Sequence, residues 1–86
     1  MASYNTDFAR SALKDLRRLD RRVVPRIVAE IEALRDDPRP DGCRKLVGSQ
    51  DLYRIRVGDY RVVYSVNDCL LTVGIERVRH RKEVYD

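Results

Sequence analysis

The stretch Leu52-Tyr-Arg-Ile-Arg-Val-Gly-Asp-Tyr-Arg-Val-Val-Tyr64 decides the fold. Two alternating runs rich in β-branched and aromatic residues are joined by Gly58-Asp59, a pair suited to a two-residue type I′ or II′ turn. Such a turn fixes the register of a β-hairpin. Counting outward, Val57 pairs with Tyr60, Arg56 with Arg61, Ile55 with Val62 and Arg54 with Val63. Successive side chains alternate faces, so Tyr53, Ile55, Val57, Tyr60, Val62 and Tyr64 point one way and Arg54, Arg56 and Arg61 the other. The first set makes a core face.

The second set breaks a local rule. Like charges directly opposite one another on a sheet are destabilising, by a few tenths to about 1 kcal/mol. A sequence that sets Arg56 against Arg61 points to function, where such breaks concentrate. Guanidinium forks match phosphate oxygens two at a time and stay charged at any physiological pH, so an anion is the expected partner. A solvated face paired with distant acids is the plainer account of any one arginine. Three on one hairpin face favour anion binding.

Working outward, helical periodicity governs the N-terminal half. Ala2 to Asn5 is a candidate edge strand, and Thr6 or Asp7 a candidate N-cap. Phe8, Ala9, Ala12, Leu13, Leu16 and Leu19 then recur at helical spacing opposite Arg10, Lys14, Arg17 and Arg18. Asp20 is placed to cap a second helix with Pro25 in its first turn. Val24, Ile27, Val28, Ile31 and Leu34 carry its apolar stripe until Asp36-Asp37-Pro38 stops it. Together they predict an antiparallel αα-hairpin. Asp36-Asp37 reads as a helix end rather than a metal pair.

Cys43 to Val47 is a candidate short strand. On the other side of the hairpin, an Asn67-Asp68 turn leads into a strand from about Cys69 to Arg77. If that turn also has two residues, Arg61 faces Gly74. A strand glycine marks either the close approach of a ligand or a twist or bulge. The expected fold class is α+β: an N-terminal αα-hairpin packed on a twisted three- to four-stranded antiparallel sheet. Residues 1–86 are expected to form a single domain.

Composition narrows the function classes. The formal charge is +4, and nearly all of the positive charge is arginine, which favours phosphate or carboxylate recognition over a merely cationic surface. No apolar run approaches the ~18 residues of a membrane span, and no basic-then-apolar signal opens the chain, so a cytoplasmic protein without membrane contact is expected. Cys43 and Cys69 lie far apart without zinc-ligand spacing and read as reduced thiols. Neither metal nor cofactor is expected.

The last ten residues, Arg77-Val-Arg-His-Arg-Lys-Glu-Val-Tyr-Asp86, gather arginines, the single histidine and a tyrosine. His80 is the one side chain here whose unperturbed pKa lies near neutrality, so it is a candidate for proton transfer. Tyr85 is suited to stacking on a base or donating its hydroxyl. The plainer alternatives are a solvent-facing histidine and a tyrosine that anchors the terminus.

The hairpin followed by Val78-Arg-His-Arg-Lys-Glu-Val-Tyr85, and preceded by Phe8-x-x-x-Ala12-Leu-Lys-Asp-Leu-x-x-Leu19-Asp20, resembles RelE-type toxins of the RelE/ParE superfamily. The likeness covers nearly the whole chain. It implies two N-terminal helices on a twisted antiparallel sheet, and a toxin of a toxin–antitoxin pair that cleaves messenger RNA in the A site of the 70S ribosome. The implied chemistry is metal-free attack of a 2′-hydroxyl on the adjacent phosphodiester. The implied partner is an acidic, RelB-like antitoxin.

By this resemblance Arg61 matches a phosphate-binding arginine, and Arg54 and Arg56 occupy two basic sites on the first hairpin strand. His80 and Arg81 fall in the C-terminal basic motif, and Tyr85 matches a tyrosine that stacks on or orients the scissile nucleotide. The resemblance thus gives Arg61, His80, Arg81 and Tyr85 as the catalytic group, and Arg54, Arg56 and Arg79 as the RNA-binding group. Two departures stand out. Some relatives carry lysine where Arg54 and Arg56 stand, and arginine is no general base, so proton transfer falls to His80, Tyr85 or ribosomal RNA. Arg79 replaces the usual glycine before the histidine and offers another phosphate contact. The alternatives are a ParE-type poison of DNA gyrase without nuclease activity and a degenerate, non-toxic relative.

Overall fold

The computed structural model describes residues 3–83. The elements are β1 (Asn5–Phe8), α1 (Arg10–Arg18), α2 (Val24–Ala33), β2 (Arg44–Lys45), β3 (Leu52–Val57), β4 (Tyr60–Asn67), β5 (Thr72–His80) and a 3-10 turn, Arg81–Glu83. The strands form one sheet in the order β1-β5-β4-β3-β2. Helix α1 packs on β5 and α2 on β3. The α+β arrangement is the expected one, with five strands in place of three or four.

The central hairpin has the register its turn dictates: Val57 opposite Tyr60, Arg56 opposite Arg61, Ile55 opposite Val62 and Arg54 opposite Val63. Gly58 takes a φ of +60°, the left-handed value that the first position of a type II′ turn needs and that a side chain resists. Alternation then fills one face with Ile55, Val57, Val62, Tyr64 and Val66, continued on β5 by Val73, Ile75 and Val78. Ala12, Ile27, Ile31 and Leu34 of the helical segment close over them, each at most 1% exposed. Burying an isoleucine side chain stabilises by about 1.5–3 kcal/mol, so this face supplies the main driving force for folding.

Three expectations change. The N-terminal strand is Asn5–Phe8, running parallel to β5, so Phe8 and Ala9 lie before the helix rather than in it. Phe8 fits a helical stripe by spacing, but pairing with the distant Ile75 decides its conformation. Ala9 occupies the N-cap without a side-chain hydrogen bond, and part of the expected edge strand, Ala2, lies outside the described residues. At the second helix Pro25 sits in the first turn as expected, but the N-cap is Val23 without a side-chain hydrogen bond. The Asp20 carbonyl accepts the Val23 and Val24 amides, while its carboxylate accepts the Arg22 amide instead of capping the helix.

The third long strand starts at Thr72, not Cys69. The Asn67 side chain accepts the amides of Cys69 and Leu70, and Leu71 adopts a left-handed φ of 53°, so the β4–β5 loop has four residues rather than two. A β-bulge follows, because Val63 faces Arg77 while Tyr64 faces Ile75. Arg61 therefore faces Arg79, and Gly74 faces Ser65.

Polar contacts pin the sheet margins. Near the β4–β5 loop, Arg39 grips both oxygens of Asp68 while Tyr4 donates to the same carboxylate, and together they hold the Asp68 carboxyl below its usual range. Tyr64, fully buried, donates its hydroxyl to the Pro38 carbonyl at 2.7 Å. Burial, with the Cys43 thiol beside it, pushes the Tyr64 phenol well above its ordinary value of 10. Cys43 and Cys69 are free thiols. Among the described residues no helix is long and apolar enough to cross a membrane.

Where β1 ends, the Val78 amide on β5 has no strand partner; Asp15 of α1 accepts it at 2.9 Å. That carboxylate is 7% exposed and also accepts from Arg77 Nε at 2.9 Å and Nη2 at 3.2 Å. Asp15→Ala should cost about 1–3 kcal/mol in urea unfolding, the penalty for stranding a buried amide while half-exposed Arg77 regains water. A cost below a few tenths would show that the edge closes by other means. The Tyr64 shift gives a pH expectation. A phenol raised in the folded state stabilises fully below its unfolded value and loses that contribution as pH rises above about 10, at up to ~1.4 kcal/mol per pH unit. Tyr64→Phe should flatten the alkaline decline in stability by that slope; an unchanged profile would refute the assignment.

Candidate functional site

The face of the sheet opposite the helices belongs to arginine. Strand pairing sets Arg56, Arg61 and Arg79 side by side across β3, β4 and β5, and the next row carries Arg44, Arg54, Val63 and Arg77 across β2 to β5. Directly paired residues share a face, so the register places six guanidinium side chains on one surface. Arg54 is only 4% exposed, Arg56 is exposed, and Arg61, Arg77 and Arg79 are half-buried.

The C-terminal turn folds back onto the hairpin tip. The Arg81 amide donates to the Asp59 carbonyl at 2.7 Å, and Arg81 Nε lies 3.8 Å from Asp59 Oδ1. This staple creates a small pocket of about 210 Å³ lined by Arg56, Gly58, Tyr60, Arg61 and Arg81. Three guanidinium groups from three elements thus surround a space suited to an anion of phosphate size. A larger cleft of about 750 Å³ runs along the β3 edge below α2 and shares Arg54 and Arg56 with the arginine face. Its walls also carry Glu30, Asp37 and Asp41, so it is the less anion-selective of the two.

The structure brings together Arg54, Arg56, Arg61, Arg79 and Arg81 of the expected site. It separates His80 from them. His80 pairs with Tyr60, whose side chain belongs to the opposite face, and meets that ring edge-on at 5.3 Å. The Lys82 amide donates to His80 Nδ1 at 3.2 Å, which leaves Nε2 as the ring's proton-bearing position when it is neutral. Tyr85 lies outside the described residues. Among those residues, no group of three or more His, Cys, Asp or Glu side chains is placed to hold a metal ion.

Asp15 is the functional-face residue that sequence reading missed. Besides Arg77 it lies 3.9 Å from Arg79 Nε, so one buried carboxylate steadies the outer end of both arginine rows. The signal was present: Asp15 falls between Ala12 and Leu16 on the apolar stripe of α1, where a charge survives burial only with partners. Arg44 lies in the candidate strand Cys43 to Val47, of which Arg44–Lys45 pairs, but its place on this face was missed because the register of that short strand against β3 has no local signal.

Comparison with known proteins agrees with this fold. Residues 7–85 match the family described as ParE toxin of type II toxin-antitoxin system, parDE. Toxin RelE3 of Methanocaldococcus jannaschii is 37% identical over 84 residues, spanning 92% of each chain. The RelE of an archaeal RelE-RelB complex from Pyrococcus horikoshii OT3 superposes with a TM-score of 0.82 at 31% identity, over 95% of this chain and 99% of that one. A chain of the toxin-antitoxin complex RelBE2 from Mycobacterium tuberculosis gives 0.81 at 30% identity, over 92% and 99%. With the helices, the sheet and nearly every residue covered, the chain belongs to the RelE/ParE superfamily of type II toxin–antitoxin toxins.

Proposed function

We propose that this toxin acts as a ribosome-dependent endoribonuclease that cuts messenger RNA in the A site. The observation that carries the reading is the row Arg56–Arg61–Arg79 with Arg81 closing its end. In the proposed reaction a ribose 2′-oxygen attacks the adjacent phosphorus and the bond from phosphorus to the 5′-oxygen breaks. The products are a 2′,3′-cyclic phosphate, or the 3′-phosphate after hydrolysis, and a 5′-hydroxyl. One proton leaves the 2′-hydroxyl and one reaches the 5′-oxygen. No metal is required by this scheme.

Each side chain has a distinct task. Arg61, at the centre of the row, binds the scissile phosphate and meets the negative charge that grows on its oxygens. Arg56 and Arg79 flank it and hold the neighbouring backbone, with Arg54 beneath as a buried support. Arg81 approaches from the stapled turn and neutralises the departing oxygen. None of these removes a proton at neutral pH. That task falls to Tyr85, to a ribosomal RNA group, or to His80 once its Nδ1 is released from the Lys82 amide.

The same reading makes the protein cytoplasmic and gives it an acidic, RelB-like antitoxin as partner. It rests on the RelE–RelB complexes among its structural neighbours and on the basic charge of +4. A second reading, poisoning of DNA gyrase, draws on the ParE description of the matching family.

Wild-type protein added to programmed 70S ribosomes should cut the message, and Arg61→Ala should slow single-turnover cleavage by about 10²–10³-fold, the usual loss for one donor to a developing oxyanion, without changing the melting temperature. Intact message with wild-type protein, accompanied by DNA breaks in induced cells, would replace the nuclease reading with the gyrase one. Binding of a co-expressed acidic antitoxin should weaken between 0.1 and 1 M salt as the Debye length shrinks from about 10 to 3 Å. A salt-independent affinity would place the contact on an apolar surface instead.

A further inference from the structure

The β5 bulge puts a carboxylate on the arginine face. Ile75 is buried and Val78 is buried, so the two residues between them, Glu76 and Arg77, both point outward. Ser11 of α1 donates to the Glu76 carbonyl at 2.8 Å and anchors the bulge. The Glu76 side chain leans back along the strand over Gly74. A Cβ at Gly74 would lie 3.2 Å from Glu76 Oε2 and 2.7 Å from Ser65 Oγ, so the missing side chain lets a hydroxyl and a carboxylate close over the strand as a polar shelf. The neighbouring cation on the strand, Arg77, is engaged by Asp15. Among the described residues, no hydrogen bond or ion pair involves the Glu76 carboxylate.

We infer that this shelf, Gly74 with Ser65 and Glu76, is a nucleobase subsite in which Glu76 reads guanine; the inference rests on the proposed ribonuclease reading. A carboxylate repels the RNA backbone and attracts N–H donors. Single-stranded RNA presents such donors on the Watson–Crick edges of its bases. Guanine alone offers two adjacent donors, N1–H and the N2 amino group, which match the two oxygens of one carboxylate in charge-assisted bonds. Uracil offers one N–H between two repelling carbonyls, and adenine and cytosine each set one amino group beside a ring acceptor. By strand rise the Glu76 backbone, three residues from Arg79, lies about 10 Å from the Arg61–Arg79 row. That suits the reach from a phosphate to a base edge and is too far for proton abstraction from the 2′-hydroxyl beside it.

The test compares single-turnover cleavage on ribosomes programmed with messages that differ only in the nucleotide next to the scissile bond, on either side. Wild-type protein should cut fastest with guanine at one of these positions. Glu76→Gln, which replaces one acceptor with a donor, should erase about tenfold or more of that preference while rates with the other bases change little. Asp7→Asn, one strand farther from the arginine row, should keep the wild-type profile. The same preference in Glu76→Gln and wild type would overturn the inference while leaving the nuclease reading intact. Absence of cleavage by wild type would overturn the nuclease reading instead. Binding of fluorescent tetranucleotides with one varied base then decides the shelf independently: guanine discrimination lost in Glu76→Gln supports it, and equal profiles refute it.

Discussion

Everything in this fold depends on one register, pinned by a two-residue turn at Gly58-Asp59 and enforced by a face that must stay dry. A slip of one residue between β3 and β4 would turn one strand over against the other, sending either Ile55 and Val57 or Val62 and Tyr64 to water and carrying Arg54 and Arg56, or Arg61, into the core. The helices therefore act at a distance on the site. Ile27, Ile31 and Leu34 belong to the core behind the sheet, yet their packing fixes which side chains face outward. Each like-charge pair in the row costs up to about 1 kcal/mol, against about 1.5–3 kcal/mol for each large aliphatic side chain buried behind it. The core outweighs the repulsion, and acids at the margins relieve it. Asp15 steadies the β5 end and Asp59 faces Arg81 at the hairpin tip.

The hairpin was legible in the sequence because its determinants are local. Alternation of period two and a turn pair settle it without knowledge of the rest of the chain. The fifth strand was read, from about Cys69 to Arg77, but its start and register were not, for two separable reasons. The Asn67-Asp68 pair suggests a tight turn, but the Asn67 side chain caps two amides of a longer loop, and this moves the residue facing Arg61 four positions along β5. The bulge moves it one more, from Gly74 to Arg79. Loop length depends on side-chain hydrogen bonding that composition only hints at, and a bulge depends on packing across the sheet. The N-terminal strand failed similarly: nothing local distinguishes Phe8 in a short parallel edge from Phe8 at the start of an amphipathic helix.

The site was legible as chemistry more than as geometry. An excess of arginine over lysine in a basic chain predicts an anion, and the hairpin places three of those arginines correctly. What could not be read is how many others join them, because Arg44, Arg77 and Arg79 arrive on strands whose registers are set at long range. The histidine shows the opposite hazard. His80 lies beside Arg79 and Arg81 in the chain, yet adjacent strand residues face opposite ways, and it meets Tyr60 on the other side of the sheet. Closeness in sequence overstated its closeness to the arginine row.

The bulge repays a further step of reasoning, because a strand one residue shorter would make the arginine row without it. A β5 lacking Glu76 would alternate regularly, with Ile75 inward, Arg77 outward and Val78 inward, and would still bring Arg79 beside Arg61. The core would be no worse filled and one residue fewer would be ordered. A backbone irregularity that improves neither the core nor the row, and that carries its own anchor in Ser11, is explained by the side chain it adds to the surface. That side chain is the carboxylate of Glu76, lying over a strand glycine on a face otherwise dominated by arginine. Arginines that grip a backbone treat all sequences alike, since every nucleotide has the same phosphate. Discrimination has to come from a group of the opposite character, close enough to meet the base and far enough not to repel the backbone, and the bulge puts Glu76 at that distance.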